Sequence, residues 1–124
     1  MRVKRIVANI QASDLAAAKR FYEDALGLEV LMDLDWIVTY GSGEKALAQI
    51  SVATQGGSDT PLPDLSIEVD DLDAALLRMK NAGFPILYGP ADEPWGVRRF
   101  YVRDPFGKLV NILAHAPHEE RDGG

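Results

Sequence analysis

"IQASDLAAAKRFYEDALGL" (residues 10–28) and "IEVDDLDAALLRMKNAGF" (residues 67–84) follow one pattern, and this recurrence decides the fold. The Asp-Leu pair that begins at Asp14 aligns with the pair that begins at Asp71, and each copy runs from a short apolar stretch into a helix with one apolar face. An internal repeat of this kind indicates two modules of the same construction.

Both predicted helices have residues typical of helix boundaries at their ends. Ser13 and Asp70 are predicted N-caps, because short oxygen-bearing side chains accept hydrogen bonds from free backbone N–H groups. Gly27 and Gly83 are predicted to end the helices, because glycine readily adopts the left-handed conformation found there.

Three strand signals follow each helix. In the first module they are "EVLMDL", "WIVTY" and "ALAQISV", and the turn "GSGEK" joins the last two. In the second module they are "PILYG", "RRFYVR" and "KLVNIL", and the turn "DPFG" joins the last two. We therefore predict an α+β fold of two βαβββ modules forming curled mixed sheets. A helix covers one face of each sheet, so the other, concave face is the predicted pocket.

Glycine and proline mark the breaks between the modules. We predict a first module over residues 1–55, a linker over 56–63, a second module over 64–115 and a disordered tail over 116–124. The second module is the longer one, and its extra residues are assigned to the connection "YGPADEPWGV" (88–97).

The composition narrows the range of functions. A formal net charge of -6 argues against nucleic acid as a partner, because phosphates require clustered Lys and Arg. The chain has no cysteine, which excludes disulfides, a thiolate nucleophile and cysteine metal ligands. Its N-terminal apolar run is too short for a secretion signal and no stretch is long enough to cross a membrane, so we expect a soluble, cytoplasmic protein.

The paired modules, the Asp-Leu pairs and the Asp-Pro-Phe-Gly turn at 104–107 resemble the vicinal oxygen chelate superfamily. That group includes glyoxalase I, extradiol dioxygenases and the metal-free bleomycin-resistance proteins. The resemblance covers residues 4–115 and implies the glyoxalase/bleomycin-resistance/dioxygenase-like fold and a homodimer. It does not fix the function, because one fold hosts many chemistries.

The resemblance also assigns the metal positions of the family to Val7, Gln49, Asp64 and Asn111. Valine has no donor atom, the two amides are neutral and weak donors, and only Asp64 carries a charge. Divalent transition metals prefer imidazole, carboxylate or thiolate ligands, so we expect no metal and no other cofactor.

Alternation along the last strand assigns its side chains to opposite faces. Asn111 is predicted to point into the concave face beside Leu109 and Leu113, while Val110 and Ile112 pack under a helix. The amide of Asn111 donates and accepts hydrogen bonds at once, so it could orient a ligand or pair with a neighbouring side chain.

Alternation places Tyr101 and Arg99 on one face of "RRFYVR". The resemblance to fosfomycin-resistance enzymes, which belong to the same superfamily, implies that Tyr101 lies in the pocket, and Thr39 is its counterpart in the first module. Arg99 could bind a carboxylate of a ligand or pair with an acidic neighbour at the sheet edge.

The two tryptophans and one histidine complete the candidates. Trp95 lies in the predicted connection and is expected to line the pocket or to fill the core, and Trp36, opening a strand, has the same two roles. His115 continues the alternation of Asn111 but has no obvious orienting partner for a general base, so we expect a surface histidine.

These features favour a metal-independent protein that sequesters a small organic molecule, cationic or aromatic, as the resemblance to bleomycin-resistance proteins implies. The predicted ligand-binding residues are Asp64, Tyr101, Asn111, Gln49, Arg99, Trp95, Trp36 and Thr39. Three other functions stay open. The first is a metal-dependent lyase or dioxygenase with Gln49, Asp64 and Asn111 as unusual ligands, and the second is a metal-independent isomerase or epimerase with Asp64 as base. The third is a structural or regulatory protein whose groove is filled by its own side chains.

Overall fold

A computed structural model describes residues 1–42 and 49–116 of the 124-residue chain. Most of the turn "GSGEK", the start of "ALAQISV" and nearly all of the predicted tail lie outside these residues. The chain divides into two compact units, which we call the N-terminal unit (Val7–Asp64) and the C-terminal unit (Met1–Ile6 together with the residues from Leu65 onward). The predicted α+β class is confirmed.

The order of elements is the same in both halves of the chain. The first half contains β1 (Val3–Gln11), α1 (Leu15–Ala18), a π-helical continuation of α1 (Lys19–Ala25), β2 (Glu29–Leu34), β3 (Ile37–Gly41) and β4 (Gln49–Ala53). The second half contains β5 (Leu65–Val69), α2 (Leu72–Asn81), β6 (Tyr88–Glu93), β7 (Val97–Arg103) and β8 (Leu109–His115). Among the described residues, no helix is long and apolar enough to cross a membrane.

Each unit contains a mixed sheet that does not close on itself. In the N-terminal unit the strand order is β2-β3-β4-β1, and residues Ala8–Gln11 of β1 pair with β4 in parallel. In the C-terminal unit the order is β5-β8-β7-β6, with β5 parallel to β8 and the other pairs antiparallel. The predicted strand–helix–three-strand construction is thus present twice.

A helix packs on one face of each sheet. The core of the C-terminal unit joins α2 to the sheet through Val69, Leu72, Ala75, Phe100, Val102, Val110 and Ile112. Val110 and Ile112 are therefore under a helix, as the alternation predicts. In the N-terminal unit Tyr40 is almost fully buried with Ala18, and its ring stacks on Tyr22 at 5.6 Å between centroids.

The helix N-caps lie one residue after the predicted positions. Asp14 accepts a hydrogen bond from the backbone N–H of Ala16 at 2.9 Å, and Asp71 accepts one from Ala74 at 3.0 Å. Both aspartates keep an extended backbone, so each is the last non-helical residue, the place of a cap. Ser13 is not the cap, and Asp70 instead accepts from the backbone N–H of Arg2 at 2.7 Å.

The segment predicted as a long connection is instead largely strand. β6 covers Tyr88–Glu93, whereas "PILYG" places the strand at residues 85–89. Proline and glycine favour a loop by composition, but β6 is the edge strand of its unit, where the missing N–H of Pro90 is tolerated. Gly89 has a φ of 79°, and the pairing of β6 with β7 shifts register at a bulge between Tyr88 and Ala91.

The backbone of β7 approaches Gly89 so closely that no side chain fits. A Cβ at Gly89 would lie 2.5 Å from the carbonyl oxygen of Arg99, whereas a Cβ at Gly83 (φ 87°) would meet nothing within 4 Å. We therefore expect Gly83→Ala to lower the free energy of unfolding by about 1–2 kcal/mol through its left-handed backbone alone. Gly89→Ala should cost a further 1–3 kcal/mol, roughly, through the clash. Urea unfolding measures both, and equal losses would contradict the close approach.

Candidate functional site

The face of the C-terminal sheet opposite α2 carries mostly polar side chains, which are buried or half-buried except for the exposed His115. We call it the helix-free face. Its members are those that alternate with the core residues: Ser66 and Glu68 on β5, Asn111, Leu113 and His115 on β8, Arg99 and Tyr101 on β7, and Tyr88 and Glu93 on β6. The register sets Ser66, Asn111, Tyr101 and Tyr88 side by side across four strands.

Arg99 and Glu93 form a buried ion pair on this face. The Nε of Arg99 lies 2.6 Å from Oε2 of Glu93, and the side chains are only 3% and 4% exposed. The hydroxyl of Tyr88 donates to the same carboxylate oxygen at 2.8 Å. A guanidinium with this little exposure requires such a partner, because an uncompensated buried charge is strongly destabilising.

Three aromatic rings surround the guanidinium carbon of Arg99. The ring centroids of Trp95 and Tyr101 lie at 5.0 Å and that of Tyr88 at 5.4 Å, within the range of cation–π attraction. The sequence left two partners open for Arg99, a ligand carboxylate or an acidic neighbour, and the structure shows the acidic neighbour, Glu93. Trp95 is half-buried beside this cation, at the turn between β6 and β7.

Asn111 lies beside this cluster with one amide atom unpaired. Its side chain is 7% exposed, and Nδ2 donates to Oγ of Ser66 at 3.2 Å. Oδ1 is fully buried and finds no donor in the part of the chain that the structure describes. Exchanging the two amide atoms would leave the nitrogen unpaired instead. In either orientation, one polar atom of the amide has no hydrogen-bond partner among the described residues. Leaving a buried polar atom unpaired lowers the stability of the fold.

Glu68 is the centre of a second group of charges on the same face. Its Oε1 lies 2.6 Å from Nε of Arg5, and its Oε2 lies 2.9 Å from Nδ1 of His115 and 3.8 Å from Nζ of Lys4. The sequence-based view of His115 as a histidine without an orienting partner is therefore wrong. The partner comes from another strand, 47 residues away in sequence.

The surroundings of Glu68 keep its carboxylate charged. Burial alone would raise the pKa of Glu68, but the hydrogen bond with His115 and the charge of Arg5 outweigh burial, so the pKa lies below its ordinary value of 4.5. The carboxylate of a group with a lowered pKa stabilises the fold above that ordinary value. This contribution is lost as the pH falls through the lowered pKa of the folded state.

In the N-terminal unit the strand register corrects one residue assignment. Thr39 and Asn9 both pair with Ser51, just as Tyr101 and Ser66 both pair with Asn111. Ser51, rather than Gln49, is therefore the counterpart of Asn111.

The polar groups around Ser51 are paired with each other. The hydroxyl oxygens of Thr39 and Ser51 lie 2.7 Å apart, and both residues are buried. Gln49 begins β4 opposite Gly41 and is half-buried.

The remaining predicted residues also lie in the N-terminal unit. Trp36 is half-buried in the turn before β3, rather than opening the strand, and its carbonyl accepts from the N–H of Thr54 at 2.9 Å. Asp64 is exposed, and its carbonyl accepts from the N–H of Asn9 at 3.0 Å. Of the eight predicted residues, the helix-free face and its adjoining turn thus hold Tyr101, Asn111, Arg99 and Trp95.

The residues at the metal positions of the family do not fit a divalent transition metal. Val7 is a buried apolar residue, Ser51 replaces Gln49 as the counterpart of Asn111, and Asp64 is the single carboxylate. Residues 1–42 and 49–116 contain no group of three or more His, Asp or Glu side chains placed to hold an ion. Amide and hydroxyl groups with one carboxylate are a weak set for zinc, iron or nickel.

Sequence reasoning missed four members of the face. Alternation within "LSIEV" sets Ser66 and Glu68 apart from the core residues of β5, so the signal for these two was available. Tyr88 and Glu93 belong to β6, whose prolines hid the strand.

Neutralising Glu93 should test the buried ion pair. Glu93→Gln removes the carboxylate charge that lies 2.6 Å from the buried cation of Arg99, and we expect a loss of about 3–5 kcal/mol in the free energy of unfolding. Asp92→Asn is the matched control, because its pair with Arg98 is exposed and long at 3.9 Å, and it should cost less than about 1 kcal/mol. Urea unfolding distinguishes the two, and similar small losses would show that the buried pair contributes little.

The comparison with protein families identifies the class. The family model of the Glyoxalase/Bleomycin resistance protein/Dioxygenase superfamily matches residues 2–112. The chain therefore belongs to this superfamily. No curated protein matches the sequence at a significant level.

Solved structures share the fold at low sequence identity. A hypothetical protein from Bacillus halodurans C-125 has a TM-score of 0.74 at 16% identity, over 95% of this chain and 98% of the other. Methylmalonyl-CoA epimerase from Mycobacterium tuberculosis has a TM-score of 0.66 at 19% identity, over 98% and 91%. A superfamily member from Vibrio splendidus 12B01 has a TM-score of 0.63 at 17% identity, over 91% and 99%. At these identities the likeness shows the fold alone.

Proposed function

We propose that the protein binds a small organic molecule without a metal, on the helix-free face of the C-terminal unit. The observation that carries this proposal is the unpaired, buried amide atom of Asn111. A ligand that hydrogen-bonds to Asn111 would remove the cost of leaving that atom unpaired, so binding and local stability would improve together.

The charged groups of the face are paired with one another, so the face favours a neutral ligand over an anion. Glu93 already compensates Arg99, and Arg5, Lys4 and His115 surround Glu68. A ligand carboxylate or phosphate would have to displace an internal partner. Trp95 and Tyr88 offer aromatic surface for a flat ligand, and the net charge of -6 suits a basic one.

The four predicted contacts of the N-terminal unit remain part of the proposal. They are Asp64, Gln49, Trp36 and Thr39. Thr39 is the weakest candidate among them, because its hydroxyl already pairs with Ser51. The alternative of a metal-dependent lyase or dioxygenase has little support from the donor chemistry described above, and we derive no reaction step through a metal.

Replacing Asn111 by leucine should separate stability from binding. Calorimetric titration with a panel of basic and aromatic antibiotics should find a ligand for the wild-type protein, and Asn111→Leu should bind that ligand at least about tenfold more weakly. The same variant should unfold at equal or higher urea concentration, because it removes a buried unpaired polar atom.

Asn81→Leu is the control, since Asn81 is exposed at the end of α2 and should affect neither measurement. The titration is repeated after treatment with a chelator, and unchanged affinity is the expected result. Unchanged affinity of Asn111→Leu, or no binding across the panel, would contradict the proposal.

We also propose a homodimer that covers the edge strand of the N-terminal unit. Val30, Leu31 and Met32 of β2 are consecutive, apolar and 38–43% exposed, a combination that edge strands usually avoid. Light scattering at micromolar concentration should give twice the chain mass, and Leu31→Lys should shift it to the mass of one chain. Leu77→Lys on α2, also exposed, should leave the mass unchanged. A monomeric wild-type protein would contradict the dimer.

A further inference from the structure

The pair of Glu68 and His115 is not used by the binding function proposed above. Glu68 is 8% exposed and fixed from one side by Arg5 at 2.6 Å, and from the other it holds Nδ1 of His115 at 2.9 Å. A carboxylate that is itself anchored in this way determines both the orientation of an imidazole ring and the nitrogen that carries its proton.

The contact with Glu68 leaves the other nitrogen of His115 available. A charged carboxylate only accepts hydrogen bonds, so Nδ1 is the donor, and Nε2 of the neutral ring is then an acceptor. The side chain of His115 is 51% exposed, and within the described ranges Glu68 is its one polar contact. Nε2 is therefore accessible to a bound molecule.

The charged side chains around His115 are Glu68, Arg5 and Lys4, and together they carry one net positive charge. Glu68 contributes one negative charge, with Arg5 and Lys4 behind it, and the residue paired with His115 on β7 is the apolar Val97. Asn111 points to the same face of the same strand, four positions earlier, which corresponds to about 13 Å along β8. A drug-sized molecule bound at Asn111 would thus reach His115.

We propose that Glu68 and His115 form a proton-accepting site for a ligand with an acidic hydroxyl group, a phenol or an enol, bound on the helix-free face. The O–H bond of the ligand breaks, its proton forms an N–H bond with Nε2 of His115, and the resulting phenolate or enolate faces the imidazolium. Glu68 stabilises that imidazolium through Nδ1 and acts as a positioning residue. This inference rests on the proposed binding function, because the ligand must first be held on this face.

The tautomer of His115 is the first test, and it needs no ligand. Nitrogen-15 NMR of the His118→Gln protein, which leaves His115 as the single histidine, should show neutral His115 with its proton on Nδ1. Glu68→Gln should abolish that preference. A wild-type ring with its proton on Nε2 would overturn the proposal.

Proton transfer is tested with para-nitrophenol, whose ionised form absorbs visible light whereas its neutral form does not. At a pH where the free probe is mostly neutral, bound probe should show a ratio of phenolate to phenol raised about tenfold, the effect of one charge-assisted hydrogen bond. His115→Gln should lose this increase while its unfolding by urea stays near that of the wild type. His118→Gln should keep it.

Calorimetry with para-nitroanisole, which has no acidic proton, separates the two proposals. Binding of both probes without any gain in ionisation would overturn the proton-accepting site and leave the binding function standing. Binding of neither probe would overturn the site and count against the binding function as well. Binding of both with ionisation that depends on His115 is the expected result.

Discussion

The ion pair between Arg99 and Glu93 is the interaction on which the helix-free face depends. A guanidinium that is 3% exposed persists because a carboxylate lies 2.6 Å away and because the centroids of three aromatic rings lie 5.0–5.4 Å from its central carbon. The pair joins β7 to the edge strand β6 beside a bulge, where backbone pairing is irregular. The rings of Trp95 and Tyr88 lie beside the same cation, and the hydroxyl of Tyr88 donates to Glu93.

Charge compensation determines what kind of recognition the face can support. Arg99 and Glu68 would be strong attractors for ionic ligands if they were unpaired, but each has an internal partner of opposite charge. The amide of Asn111 and Nε2 of His115 have hydrogen-bonding capacity left within the described residues. In the proposed binding function, recognition would depend on directional hydrogen bonds, which select a ligand by the positions of its polar atoms.

The features predicted correctly from the sequence are those encoded by local periodicity. The Asp-Leu repeat located both helices, and alternation within "KLVNIL" placed Asn111 opposite Val110 and Ile112. The errors concern relations between distant segments. Gly89 and Pro90 indicate a loop by themselves, and pairing with β7 overrides that tendency. Sequence alignment matched Gln49 to Asn111, but the pairing of residues between strands makes Ser51 the counterpart of Asn111. Alignment of the two modules does not supply that pairing. The contact of His115 with Glu68 spans 47 residues, beyond any local pattern.

For the proposed metal-free binding, affinity would have to come from many weak contacts, and this requirement would set the size of the ligand. One hydrogen bond to a neutral amide contributes about 0.5–1.5 kcal/mol, far less than a micromolar complex needs. Burial of apolar surface supplies about 25 cal/mol per Å², and it would have to provide most of the difference as well as offset the cost of association. Leu113 lies between Asn111 and His115 on β8, so an apolar side chain separates the two polar ends. The arrangement suits an elongated, largely apolar molecule with a polar group at each end, because hydrogen bonds at the ends would fix its register while the apolar centre provided the binding energy.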